Sequence, residues 1–310
     1  MDVRHLELLR ELSVRGSVTE VARATHRTPS AVSQQLRAAQ RELGTPLVEP
    51  AGRGLRLTPA GHVLAGGGED VARVVAQVQA RWDAFRGHLS GTVAVAGLPS
   101  AATYLLPRTF AALEGTEIDL VFTDEDVAES AYADLVVEHD IVIAHSLTQL
   151  APAGTERLFA VELLREPLDV ALSAEHPLAA RADVRPEDLV DQEWIGVPIG
   201  FPFDTVRLAV EAATGKRIRV VQRMRDNRLI EALVAASAKV AVLPRFTSPQ
   251  GNDVVLRPLR GISTARHIFA VMRPDRAERL AVRHVLAALR GAAEEATRDR
   301  AATPAADAHT

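Results

Sequence analysis

Two threonine–proline pairs, Thr28-Pro29 and Thr58-Pro59, each stand at the head of a long stretch with apolar residues at helical spacing. Threonine caps the amino end of a helix, and proline suits the first helical position, where its missing N–H costs nothing and its fixed φ is already helical. Each of these pairs therefore starts a helix and prevents an earlier one from running through. Gly16 and Gly44 supply stops, since glycine takes the left-handed conformation after a helix end. The spacing predicts a first amphipathic helix over residues 3–14, with Val3, Leu6, Leu8, Leu9 and Leu12 near helical period. A short second helix, carrying Val18, Val21 and Ala22, opens with Ser17 and Glu20 as a capping box. A third runs from Thr28 to about Leu43, and Ala31, Val32, Leu36 and Leu43 face inward.

Two short helices joined by a tight connection make a helix-turn-helix pattern. Between Arg27 and Arg41 the outward side of the second offers Thr28, Ser30, Ser33, Gln34, Gln35, Arg37 and Gln40 without a carboxylate. An acid-free polar face suits the negative major groove, where Ser and Gln read base edges and Arg holds phosphate or guanine. An ordinary solvated face would carry interspersed Glu. Beyond Gly44, Leu47-Val48 and Leu55 to Leu57 bracket a turn rich in Gly, Pro and Arg, which reads as a two-stranded wing with Arg53 at its tip.

Charge agrees with this division. The 310-residue chain has a formal net charge of -4, yet residues 1–57 carry nine Arg against six Asp and Glu. Only this amino-terminal segment suits a polyanion. Lys216 and Lys239 are the only lysines, a bias that serves bidentate phosphate or guanine contacts or reflects a GC-rich genome. There is no cysteine, which excludes disulfides, thiolate nucleophiles, Cys-based zinc sites and thiol redox sensing. Charges scattered through MDVRHLELLRELSVRG leave no export signal and no membrane span, so a cytoplasmic protein is expected.

Thr58-Pro59 opens a long segment with Val71, Val74, Val75, Val78, Trp82, Phe85 and Leu89 along one stripe. Such a linker helix either pairs with a second copy or belongs to the core of the following domain. Gly66, Gly67 and Gly68 predict a kink or break, at roughly 1 kcal/mol each relative to Ala.

From Gly91 the pattern becomes short apolar runs alternating with helical segments, the signature of a mostly parallel sheet. The runs TVAVAG, IDLVF and DIVIA form a first lobe. RLFAVELL, LDVALS, WIGV, a helix near residues 203–213, RIRVVQ and KVAVLP form a second, and RHIFAV with a last helix near residues 276–290 returns to the first. Crossing segments near Leu158–Leu163 and Ala265–Val271 leave a cleft between the lobes. Ligands bind beyond the carboxyl ends of such strands. Those ends give Ser100, Thr103, Thr123, His145, Ser146 and Gly200 to Phe203 as the candidate effector site, with Arg225 and Arg228 as anion partners. Each is equally an ordinary cap or turn residue. Ser100, before a helix, can place a carboxylate near free N–H groups.

The ten histidines fall in no HExxH, and GxSxG, Walker A and glycine-rich dinucleotide loops are absent. No catalysis, cofactor or metal is expected. GAAEEATRDRAATPAADAHT has little apolar periodicity and is expected to be a disordered tail.

The run Gly16-Ser17, Ala22, Ala31-Val32-Ser33, Leu36, Leu43-Gly44, Leu47, Arg53 and Leu57-Thr58-Pro59-Ala60-Gly61 resembles the signature of LysR-type transcriptional regulators. Leu9 and Val48 stand where that family tends to have Phe, Gln40 where it has Glu, and Pro50 where it has Arg. The resemblance implies an α/β multidomain protein: a winged helix-turn-helix at residues 1–58, a linker and dimerisation helix at 59–90, and a periplasmic-binding-protein-like effector domain at 91–290. Lobe I of that domain is 91–160 with 267–290, lobe II is 161–266, and a tail follows at 291–310. It further implies that Thr28, Pro29, Ser30, Ser33 and Gln34 lie in the major groove, that Arg53 serves the wing and that Ser17 meets a phosphate. A homodimer or dimer of dimers would bind an interrupted inverted repeat in double-stranded DNA and respond to a small molecule, either a carboxylate or an amino acid. The alternative is a solute-binding or transport component without DNA binding.

Overall fold

The computed structural model describes residues 1–52, 54–147, 151–248 and 253–302. The chain divides into two compact units, one comprising Met1–Leu89 with Arg273–Val282 and the other Ser90–Met272 with the segment from Arg283 onward.

In the first unit, α1 (Val3–Arg15), α2 (Val18–Ala24) and α3 (Pro29–Leu43) precede a two-stranded antiparallel wing, β1 (Val48–Ala51) and β2 (Gly54–Leu57), and the long α4 (Pro59–Phe85). Leu9, Val21, Val32, Ala39 and Leu47 form its core. In α1 the buried polar member is His5, whereas Val3, expected in the apolar stripe, is exposed because it sits on the opposite side of the first turn. Gly16 closes α1 at φ 62°. His26, at φ 52°, makes the tight turn before α3. The wing docks on the α1–α2 connection: Leu55 N–H donates to the Gly16 carbonyl at 3.1 Å, and a Cβ on Gly54 would stand 2.9 Å from that oxygen.

Both threonine caps form. Thr28 Oγ1 accepts from Ala31 N–H at 3.2 Å and Thr58 Oγ1 from Gly61 N–H at 3.1 Å. The capping box at Ser17 does not. Ser17 occupies the N-cap without a side-chain cap bond, and the Glu20 carboxylate, the other half of the box, pairs with Arg23 at 2.7 Å. The expected break in α4 is likewise absent, and the helix runs unbroken through Gly66, Gly67 and Gly68. Gly68 is where α1 comes closest, since a Cβ there would lie 2.4 Å from the Leu6 carbonyl oxygen. At Gly68 close packing thus offsets the helical cost of glycine.

The second unit alternates strands and helices: β3 (Ser90–Gly97), α5 (Pro99–Leu113), β4 (Glu117–Asp124), α6 (Tyr132–Leu135) and β5 (Ile141–Ser146). Then follow β6 (Phe159–Ser173), α7 (Pro186–Leu189), β7 (Glu193–Gly196), α8 (Asp204–Thr214), β8 (Arg219–Arg223), α9 (Asn227–Ala235), β9 (Val240–Pro244), β10 (Val254–Arg257) and β11 (Ala265–Met272). The chain closes with α10 (Pro274–Ala277) and α11 (Leu280–Ala302). β3 is parallel to β4 and β5 in one lobe, and β7 is parallel to β8 and β9 in the other. β6 and β11 join the lobes as an antiparallel pair. RLFAVELL and LDVALS, read as two segments, are one strand, β6, whose first part pairs with β11 and whose last residues pair with β9 and β10. The expected lobe boundaries at residues 160/161 and 266/267 therefore fall inside strands. α9 and β10 were not anticipated.

The segment after Arg290, expected to be a disordered tail, continues α11 through Ala302. Ala292, Ala293 and Ala296 are buried at helical spacing, and alanine combines high helix propensity with a side chain small enough to pack closely. Residues 303–310 lie outside the described part. Among the described residues no helix is long and apolar enough to cross a membrane.

Candidate functional site

Two sites emerge, one in each unit. The first is the amino-terminal half of α3. Val32, Leu36 and Ala39 anchor the helix in the core, which turns Arg27, Thr28, Pro29, Ser30, Gln34 and Arg37 to the exterior and leaves Ser33 half-buried. No acidic residue stands in the first turn, so the partial positive charge of the helix start is uncompensated there and favours an anion. Ser17, half-buried at the start of α2, makes no cap bond. Arg53 lies outside the described residues.

Besides Thr28, whose hydroxyl caps α3 and lies 3.0 Å from Ser30 Oγ, two glutamines of the expected reading face are engaged internally. Gln35 Nε2 donates to the Arg4 carbonyl at 2.6 Å, and its Oε1 accepts from Arg27 Nη1 at 2.5 Å. Gln40 Oε1 accepts from Leu47 N–H at 2.9 Å, which ties the end of α3 to the wing. Gln40 thus has a structural task, and among the three glutamines of this face Gln34 is the exposed one.

The second site is a cavity of about 380 Å³ in the C-terminal unit, bounded by residues at or just beyond the carboxyl ends of β3, β4, β5, β7 and β8. Ser100, Thr103, His145 and Phe203 line it, as do Arg225 and Arg228. Three expected residues are outside the lining. Thr123 is exposed one residue short of Asp124, which does line the cavity. Ser146 is fully buried opposite His267 in the sheet, and Gly200 is an exposed turn residue at φ 90°. Phe201, inside the expected Gly200 to Phe203 stretch, also lines the cavity, and residues not anticipated include Asp124, Asp126, Glu231 and Arg266.

Arg266 organises the cavity wall. It is fully buried and binds Glu166 Oε2 through Nε at 2.8 Å and Nη2 at 2.6 Å, while Nη1 donates to Ser100 Oγ at 2.8 Å. Glu166, also fully buried, accepts from Phe246 N–H at 2.6 Å and from the Tyr104 hydroxyl at 3.4 Å. Burial opposes the Arg266 charge, but the adjacent Glu166 carboxylate outweighs it and raises the guanidinium pKa. Burial, reinforced by Glu166, pushes the Tyr104 phenol well up. Burial and the nearby Arg266 cation hold the His145 pKa well below 6.5, so its imidazole is neutral. Its ring meets Tyr132 and Phe203 edge-on at 5.9 and 5.8 Å, and neither ring nitrogen has a hydrogen-bond partner among the described residues. The signal for Arg266 was a lone formal charge inside an otherwise apolar run, ARHIFAVM, whereas Glu166 stands between Arg165 and Asp169 in LLREPLDVAL and carries no such mark.

Residues 3–62 match the family model for bacterial regulatory helix-turn-helix proteins of the lysR family, and residues 86–294 match that of the LysR substrate binding domain. The chain belongs to the LysR family. It is accordingly a DNA-binding transcriptional regulator with a C-terminal effector-binding domain, and the solute-binding alternative without DNA binding is not supported. Relatives of this LysR-family chain include the transcriptional dual regulator GltC of Bacillus subtilis, 26% identical over 247 residues, covering 80% of this chain and 82% of GltC. The DNA-binding transcriptional dual regulator OxyR of Escherichia coli is 24% identical over 277 residues, covering 88% and 90%. Among solved structures, a full-length variant of OxyR from Pseudomonas aeruginosa superposes with a TM-score of 0.61 at 19% identity, covering 95% of each chain. That last likeness is one of fold.

Proposed function

We propose that this regulator works in the cytoplasm without a catalytic step, reading an interrupted inverted repeat as a homodimer or a dimer of dimers. On this reading Thr28, Pro29, Ser30, Ser33 and Gln34 meet base edges, Arg27 and Arg37 meet phosphates, Ser17 adds a phosphate contact and Arg53 serves the wing. The observation that carries it is the exposed, acid-free start of α3, capped by Thr28 and backed by Val32 and Leu36. Oligomerisation is assigned to α4, where Val74, Val75, Val78, Trp82 and Phe85 are all exposed within one chain, a stripe that a second copy would cover. The effector, a carboxylate or an amino acid, occupies the cavity lined by Ser100, Thr103, His145 and Phe203. Since the chain has no cysteine, the signal is a bound molecule and not a thiol–disulfide change.

Footprinting of the purified protein on the DNA upstream of its own gene tests this. Two protected half-sites on one face of the duplex, centred one helical turn or a multiple apart, are expected, with a protection pattern that shifts on adding effector. Absence of protection at low salt contradicts the DNA reading, and a footprint indifferent to metabolites contradicts the sensing half.

A further inference from the structure

The cavity in the C-terminal unit carries charges of both signs, and most are already matched. Arg266 is neutralised by Glu166 at 2.6 Å. Arg228 Nη1 lies 3.3 Å from Glu231 Oε2. Asp226 Oδ1 accepts from Arg228 and Leu229 N–H, at 2.8 and 3.2 Å, and so caps α9. Arg225 remains, together with Asp124 and Asp126. Arg225 donates to the backbone carbonyl of Asp126 at 3.3 Å and lies over the Phe201 ring, and no side chain among the described residues forms an ion pair with either aspartate. Counting Glu166, the wall is therefore more acidic than basic. Burial raises the Asp126 pKa, with Arg225 opposing and the like charge of Asp124 adding to it. A purely anionic effector would meet this lining as a like charge.

Two further observations define the remaining recognition. α5 begins at Pro99 behind Leu98, which offers no side-chain cap, so its amino end reaches the cavity with Ser100 beside it. His145 is 5% exposed and both its ring nitrogens lack partners among the described residues. A neutral imidazole is one donor and one acceptor, and leaving both unmet in a buried site is costly unless a ligand satisfies them. Val197, Phe201 and Phe203 supply an apolar wall, and about 380 Å³ is room for a small metabolite.

We propose that the cavity takes a small zwitterion, an α-amino acid or close analogue with an apolar side chain. Asp124 and Asp126 hold its ammonium group, Ser100 and the amino end of α5 hold its carboxylate, and His145 completes the head-group hydrogen bonds. This rests on the cavity being the effector site and decides between the two effector classes.

The test uses the full chain in thermal-shift and calorimetric titrations. The probes are the proteinogenic amino acids with apolar side chains, each alongside its deaminated acid and its decarboxylated amine. At least one amino acid is expected to raise Tm and to bind about tenfold or more tightly than its deaminated acid, the order expected for one charge-assisted contact in a partly buried site. Asp126→Asn should weaken that amino acid and shift preference toward the deaminated acid, a gain that misfolding cannot produce. A deaminated acid that binds as tightly as its amino acid, with a ratio unmoved by Asp126→Asn but weakened by Ser100→Ala, keeps the cavity as effector site and overturns the zwitterion. A bound compound indifferent to Ser100→Ala, Phe203→Ala and Asp126→Asn overturns both. Silence from all three sets overturns the amino-acid proposal.

Discussion

Glu166 and Arg266 meet as a fully buried ion pair, 2.6 Å between Oε2 and Nη2, on β6 and β11, the two strands that join the lobes. The same guanidinium reaches Ser100 at the start of α5. A contact on the joining strands is thus in direct touch with the cavity. Removing one member strands a charge in the interior, and Arg266→Met should cost about 3–5 kcal/mol. The double variant Glu166→Leu with Arg266→Met should lose less than the two single changes added together. Denaturant unfolding followed by the buried Trp194, in a Trp82→Phe background, measures both; additive losses would contradict the coupling.

His145 predicts a pH dependence. Its folded pKa is depressed by burial and by Arg266, so between that value and 6.5 the unfolded chain binds a proton that the folded chain refuses. The stability it contributes is complete above pH 6.5 and is lost as pH falls through the window below. The slope should approach about 1.4 kcal/mol per pH unit from this group alone. Comparing Tm from pH 7.5 to 5 for the natural chain and His145→Gln checks it, and the variant should show the shallower fall.

How far the sequence led can be judged at particular residues. Thr28 and Thr58 were readable because a cap depends on neighbours three residues away. At Ser17 the box expected from the same spacing does not form, and Arg23, within the same helix, takes the Glu20 carboxylate. The buried pair was not readable: Glu166 and Arg266 are a hundred residues apart, and no local pattern singles out Glu166 from nearby Arg165 and Asp169 as the partner of Arg266. Asp126 sits in a loop whose course only the fold determines. Of the expected cavity residues, Ser100, Thr103, His145 and Phe203 fell on the lining because strand ends fix them, whereas Thr123, Ser146 and Gly200 missed it by one residue or one turn.

The glycine run in α4 separates helix propensity from packing. Gly66 and Gly67 have nothing within 4 Å of an added Cβ, so Ala at either should stabilise by about 0.5–1 kcal/mol. Gly68→Ala would drive a methyl group against the Leu6 backbone and should destabilise despite the same propensity gain. Thermal melts of the three single variants decide, and a uniform response would argue against the close approach of α1.

The exposed stripe of α4, with Trp82 stacked on Phe85 at 5.7 Å, predicts that association depends on it. Val75→Asp with Phe85→Asp should convert the oligomer to monomer in analytical ultracentrifugation. Since burying one such side chain is worth about 1.5–3 kcal/mol, DNA affinity should fall by an order of magnitude or more. An unchanged sedimentation profile would remove α4 from the interface.

The most direct measurement is anisotropy titration of Arg37→Ala, Gln34→Ala and Ser33→Ala against operator and random duplexes at one salt concentration. Arg37→Ala should weaken both duplexes alike, whereas Gln34→Ala and Ser33→Ala should lose about 1–3 kcal/mol on the operator and little on random DNA. Equal losses on both duplexes for all three variants, or no loss for any, would contradict the reading of α3 as the helix that enters the groove.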